Sequence, residues 1–171
     1  MPATDRRVGL YLFLVCLLLA RPAEGGQPSQ CHKAPPRMLS GSGRGPSVWI
    51  SAEPSAENIV VKVSITNLGS SRYRLLSWDL PFHGGMSGGL FDVYRGFEEI
   101  PYRGMAIKRK ITKEDYINVD PGFTCSTSIP LAPAYDVTPP GQYRIQYRAA
   151  NQHFHDGLDW LTSNEIEVER K

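Results

Sequence analysis

An excess of charge of either sign is missing from this chain. Its 171 residues carry 19 lysines and arginines against 17 aspartates and glutamates, a balance of +2. That leaves no basic surplus for a phosphate backbone, so nucleic acid is not an expected partner. Long apolar runs are missing too. The one near the N-terminus, from Val8 to Ala20, falls short of the roughly 20 residues that a spanning helix needs. Cysteine is scarce, with 3 in the chain, and no Asn-x-Ser/Thr glycosylation acceptor occurs. There is no His-Glu-x-x-His, and no Gly-x-x-x-x-Gly-Lys-Ser/Thr that would cradle a phosphate. What remains is 41% hydrophobic and 21% charged, which excludes a disordered chain. With 16 glycines and 14 prolines it is rich in turns and poor in long helices.

Arg6 and Arg7 precede the apolar run, and Ala23, Glu24, Gly25 and Gly26 follow it. This is the layout of a secretory signal peptide over residues 1–26, with cleavage near Gly25 or Gly26. The competing reading is an uncleaved N-terminal anchor. Cys16 lies inside the run behind Leu14 and Val15, without the small residues a lipidation site would need. Once the signal is removed, about 145 residues remain, one domain's worth, exported to the periplasm or beyond. Cys31 and Cys125 are then the remaining thiols. An oxidising compartment lets them pair, stapling the N-terminal segment onto a distant strand. The alternative is one thiol in a tail and one in a core. Residues 27–46, with Pro35-Pro36, Ser40-Gly41-Ser42-Gly43 and Gly45-Pro46, read as a flexible linker.

From residue 47 to 171 the pattern is that of strands. Val61, Val63 and Ile65 alternate with Lys62, Ser64 and Thr66, a strand with one buried face. Tyr73 to Trp78 reads as the next strand. Gly84-Gly85 and Gly88-Gly89 frame a long loop. Leu90–Tyr94 and Glu99–Tyr102 suggest a hairpin around Arg95-Gly96-Phe97. Tyr116–Val119 ends at the turn Asp120-Pro121-Gly122. Phe123, Cys125, Thr127 and Ile129 share a face, as do Tyr143, Ile145 and Tyr147, and Glu165–Glu169 closes the domain. The helical candidate is one short turn at Thr112–Asp115, with threonine as its cap. About eight short strands between turn signals predict an all-β, immunoglobulin-like antiparallel sandwich, with a barrel as the runner-up.

The motifs also come in a familiar order. Leu75-Leu76-Ser77-Trp78-Asp79-Leu80-Pro81-Phe82 is followed by Phe91-Asp92-Val93, Ile100-Pro101-Tyr102-Arg103-Gly104, Lys108-Arg109 and Glu114-Asp115-Tyr116. Then come Asp120-Pro121-Gly122, Ala134-Tyr135-Asp136, Gly141-Gln142-Tyr143-Arg144 and Ser163-Asn164. The series resembles the non-catalytic β-sandwich domain that precedes the zinc domain of deuterolysin-type (aspzincin, peptidyl-Lys) metalloendopeptidases, over about Val48 to Val168. Those enzymes carry a His-Glu-x-x-His helix and an aspartate zinc ligand in a later domain. No position here matches them, so no catalytic residue carries over. The resemblance implies a free-standing accessory or propeptide-like domain, which in the family serves as a folding aid and latency element.

Several clusters could carry chemistry. His153 and His155, at i and i+2, could reach one cation with Asp159 or His83 as a third ligand. The competing reading is a polar loop beside Gly157, and no metal or other cofactor is expected. Ser87, between Met86 and Gly88, lacks the base and oriented third group that a nucleophile needs. Lys108, Arg109, Lys110 and Lys113 form the densest basic cluster, suited to an acidic protein partner or to baiting a lysine-directed protease, and Glu114 and Asp115 follow it directly. Trp49, Trp78 and Trp160 could stack on sugars, although aromatics on sandwich strands more often pack the core. The expected function is non-enzymatic: modulation of an aspzincin-type metalloendopeptidase by protein–protein contact. The contact would run through His83 and Met86 of the glycine loop and through Lys108–Lys113. A secreted module binding a cell-surface polymer is the alternative.

Overall fold

The structure, a computed structural model, describes residues 31–35, 45–55, 57–80, 86–106, 108, 110–153 and 157–171, with His153 by its backbone alone. The expected signal peptide and most of the expected linker lie outside these residues. The described chain forms ten strands: β1 (Cys31–Lys33), β2 (Pro46–Pro54), β3 (Ile59–Asn67), β4 (Tyr73–Leu76), β5 (Phe91–Arg95), β6 (Glu98–Glu99), β7 (Tyr116–Val119), β8 (Phe123–Pro130), β9 (Gly141–His153) and β10 (Gly157–Arg170). All pairings are antiparallel. One sheet runs β1-β8-β3-β2, a second runs β10-β9-β5-β6, and β4 pairs with β7 in a short third sheet. The all-β sandwich expected from the strand pattern is what is observed.

Alternation explains the core. Val61, Val63 and Ile65 on β3 and Tyr143, Ile145 and Tyr147 on β9 are all fully buried. They lie in one apolar cluster joined by Ile50, Leu75, Val93 and Ile129. Each such side chain contributes about 1.5–3 kcal/mol by leaving water. The outward residues of β3 and β8 pair across the strands instead, with Ser64 Oγ 2.9 Å from Ser126 Oγ and Thr66 Oγ1 2.8 Å from Thr124 Oγ1. Tyr143, near the start of β9, donates its hydroxyl proton to the carbonyl of Pro139 at 2.6 Å. This is the tyrosine corner of immunoglobulin-like sandwiches.

Three details depart from the sequence pattern. The strand expected to reach Trp78 stops at Leu76, because the N–H of Ser77 turns to the carbonyl of Asp115 (2.8 Å) and that of Asp79 folds back to Leu76 (3.0 Å). β9 and β10, at 13 and 14 residues, are longer than expected. A register shift between Thr162 and Glu165 interrupts the alternation of β10. At this bulge the Ser163 hydroxyl accepts the Tyr147 N–H at 3.0 Å, replacing a lost ladder bond. Finally, Cys31–Lys33, inside the segment expected to be a linker, is a strand. Cys31 stands opposite Cys125 in the β1–β8 register, and the two form a disulfide across a sequence separation of 94. In the chain-entropy account, closing so long a loop stabilises the fold by about 4–5 kcal/mol.

The hairpin expected around Arg95-Gly96-Phe97 is present as β5 and β6, but its second strand is only Glu98–Glu99 rather than Glu99–Tyr102, since Pro101 has no N–H to extend the ladder. Gly96 has φ +59°, a backbone conformation that a side chain would disfavour. No helix among the described residues is long and apolar enough to cross a membrane.

Candidate functional site: a cleft at the end of β4

The end of β4, the glycine loop and the 111–115 stretch come together around one cleft. Local chemistry places each of them. At Thr112–Asp115 the expected capping turn forms. The Asp115 carboxylate accepts from the Thr112 backbone N–H at 2.8 Å and from its hydroxyl at 3.0 Å, and the Asp115 carbonyl holds Ser77. This anchors Ile111 beside Trp78. On the other side the Tyr102 hydroxyl lies 3.2 Å from the Met86 carbonyl and 2.9 Å from that of Met105, fixing the start of the glycine loop. A Cβ on Gly104 would come within 2.5 Å of the end of the Tyr102 ring, so a side chain here would displace the hydroxyl that holds Met86 and Met105. The Tyr135 hydroxyl serves both backbone groups of Phe91, accepting from its N–H at 3.1 Å and donating to its carbonyl at 2.9 Å.

The resulting cleft has a volume of about 280 Å³. Its apolar wall is Leu76, Trp78, Leu90 and Ile111, its rim is Ser87-Gly88-Gly89, and its ionisable group is Asp79. Besides Asp115, two described buried polar side chains at this end of the sandwich, Asn151 and Asp79, stand in contrast. Asn151 is fully buried and fully used: it accepts from Leu76 N–H (2.9 Å) and donates to the Tyr73 hydroxyl (2.7 Å) and the Arg74 carbonyl (3.0 Å). It acts as a piece of backbone joining β4 to β9. Asp79 is 6% exposed, and its Oδ2 has no hydrogen-bond partner among the described residues. Loss of water raises its carboxyl pKa from 3.8 to about 7. Around it, burial holds the phenols of Tyr73, at about 12, and Tyr147 in their neutral forms. Tyr147 donates to the Asp79 carbonyl at 2.7 Å.

The residues singled out from sequence are placed as follows. Lys108, Lys110 and Lys113 are exposed, while Arg109 lies outside the described residues. Met86 is buried in the core cluster and is not among the residues that line the cleft. His83 lies outside the described residues. Ser87 lines the cleft, with no histidine among the described lining residues. His153 closes β9 opposite Gly157, His155 lies outside the described residues, and Asp159 sits on β10 opposite Asn151. Among the described residues no group of three metal-binding side chains occurs. Trp49 and Trp160 stand on β2 and β10, 62% and 59% exposed, and the Arg148 guanidinium lies 5.0 Å above the Trp160 ring. Trp78 is in the cleft, so the three indoles belong to separate elements.

Sequence pattern alone does not single out Asp79. The signal was available in Trp78-Asp79-Leu80, an acid flanked by apolar residues at a strand end, but only the turn at Ser77 drives it inward.

No family model matches the chain. Over 96 residues, 56% of its length, it is 33% identical to an extracellular protease of Aeromonas hydrophila. The match spans 27% of that protein, so the chain corresponds to about a quarter of its relative's length.

Proposed function

We propose that this chain is an exported, non-enzymatic β-sandwich domain of the deuterolysin accessory type. It modulates a metalloendopeptidase, as inhibitor or folding aid, by direct protein–protein contact, and works in the extracellular or periplasmic space. The observation that carries the reading is the 33% identity over 96 residues to part of an extracellular protease. The absence of a His-Glu-x-x-His from these 171 residues and the Cys31–Cys125 disulfide agree with it. The contact face is the one where Ser87–Gly89 and Ile111 share a cleft, with Lys108, Lys110 and Lys113 exposed along the neighbouring stretch.

The test is to add the purified chain to the secreted metalloendopeptidase of the same organism. Peptide hydrolysis and refolding of the denatured protease are then followed, alongside binding. Slowed hydrolysis or a higher refolding yield, with binding at micromolar concentration, is expected. No binding and no change in either assay at that concentration overturns the reading.

The exposure of Trp49 and Trp160 favours one second reading, a secreted module that binds a cell-surface polymer. Retention on insoluble polysaccharide, lost when both indoles are replaced by alanine, would support it over the first.

A further inference from the structure

We propose that the cleft at the end of β4 is a receptor for one basic side chain, an alkylammonium or guanidinium carried by a partner polypeptide. Asp79 is the ionisable group among the described residues of its lining, and no described lysine, arginine or histidine accompanies it there. Its Oδ2 is buried without a partner among the described residues. A carboxylate in that position is costly unless a cation meets it. An anion is excluded by the same charge, and a single carboxylate cannot hold a hard metal ion, which takes several oxygen ligands. Ser87 on the rim has no base beside it among the described residues of the lining, so they supply no acyl-transfer pair.

The rest of the cleft fits the stem of such a side chain. Leu76, Leu90 and Ile111 offer an apolar wall for methylene groups, and Trp78 adds an indole beside the acid. An aromatic face and a carboxylate together select a cation over a neutral group of the same shape. The volume of about 280 Å³ lies just below the ~300–1,000 Å³ typical of drug-sized pockets, which suits a single side chain. Glycines at 88 and 89 leave the rim low, so a partner's backbone can approach closely. The partner that supplies this side chain need not be a protease.

The probe is Nα-acetyl-lysine methylamide, titrated into the full chain and followed through the amide resonances of Ala149, Ala150 and Gln152. The neutral isostere Nα-acetyl-norleucine methylamide serves as control. Saturable shifts at roughly millimolar concentration are expected for the lysine compound, with the norleucine compound at least about tenfold weaker. Asp79→Asn should abolish the difference between the two, and Trp78→Leu should weaken both. Equal binding of the two compounds by the wild-type chain overturns the proposal, as does the absence of shifts at tenfold higher concentration. The wild-type comparison stands even if a variant fails to fold. A third arm compares n-butylamine with a short peptide bearing a central lysine. The peptide is expected to bind more tightly, and equal affinity would overturn the assignment to a polypeptide partner. No protease enters the experiment, so its failure leaves the protease reading to its own test.

Discussion

Asn151 and Asp79 lie at the same end of the sandwich and are almost equally buried, yet their surroundings treat them in opposite ways. Every polar atom of the Asn151 side chain is matched to backbone or hydroxyl of β4. The Asp79 side chain keeps an oxygen with no partner among the described residues. A buried polar group with all its bonds made is architecture, since it fixes one docking of two strands. One left unmatched is a standing cost that folding alone does not repay. The contrast separates the part of this region that builds the fold from the part that is available to a ligand.

The comparison is broken most forcefully at Asn151. Replacing it by leucine would strip the Leu76 N–H and the Arg74 carbonyl of their partner inside the protein. The expected loss is about 3 kcal/mol, the sum of one or two unsatisfied buried groups, read from urea denaturation at neutral pH. A loss below about 1 kcal/mol would mean that β4 is held by apolar packing alone.

Asp79 should behave in the opposite sense. Its carboxyl titrates near 3.8 when unfolded and near 7 when folded. Between those values the unfolded chain has released its proton while the native chain retains it. Stability therefore falls as pH rises from about 4 to about 7, and the deficit persists above that. Asp79→Asn removes the titration. The variant should be more stable than wild type by about 2 kcal/mol at pH 8, discounted from the full shift because the amide is itself buried, and should gain nothing at pH 4. Equal stability of the two proteins across that range would show that water reaches the carboxylate freely.

The same contrast explains what could be read from the sequence. Alternation of period 2 places Val61, Val63, Ile65, Tyr143, Ile145 and Tyr147 in the core, because side-chain direction in a strand is set locally. The capping turn at Thr112–Asp115 was also local, three residues apart. Asp79 was not visible this way. Its burial depends on Tyr147, 68 residues away, and on Asp115 holding Ser77. Nor was the length of β10 visible, since the bulge at Ser163-Asn164 shifts the phase of the alternation. Leu158 and Trp160, both exposed, share one face of β10 ahead of that bulge. The basic cluster at 108–113 was plain from composition. That Ile111 beside it borders the same cleft as the glycine loop was a matter of tertiary packing.

Asn164 offers the smallest and sharpest extension of the comparison. It sits at the bulge of β10 and reaches across to β2, accepting from the Ile50 N–H at 2.8 Å and donating to the Ile50 carbonyl at 3.1 Å. It thus does at the seam between the two large sheets what Asn151 does at β4, but only half-buried. Water can replace its bonds in part, so Asn164→Ala should cost about 1 kcal/mol, a third of the Asn151 effect. The substitution also uncovers part of the β2 edge, and an uncovered edge invites pairing with another chain. Asn164→Ala should therefore show more self-association than its small stability loss would suggest, measured by light scattering at matched folded fraction. If Asn151→Leu associates just as readily at that fraction, the seam asparagine guards no edge, and the two asparagines differ only in how much water they exclude.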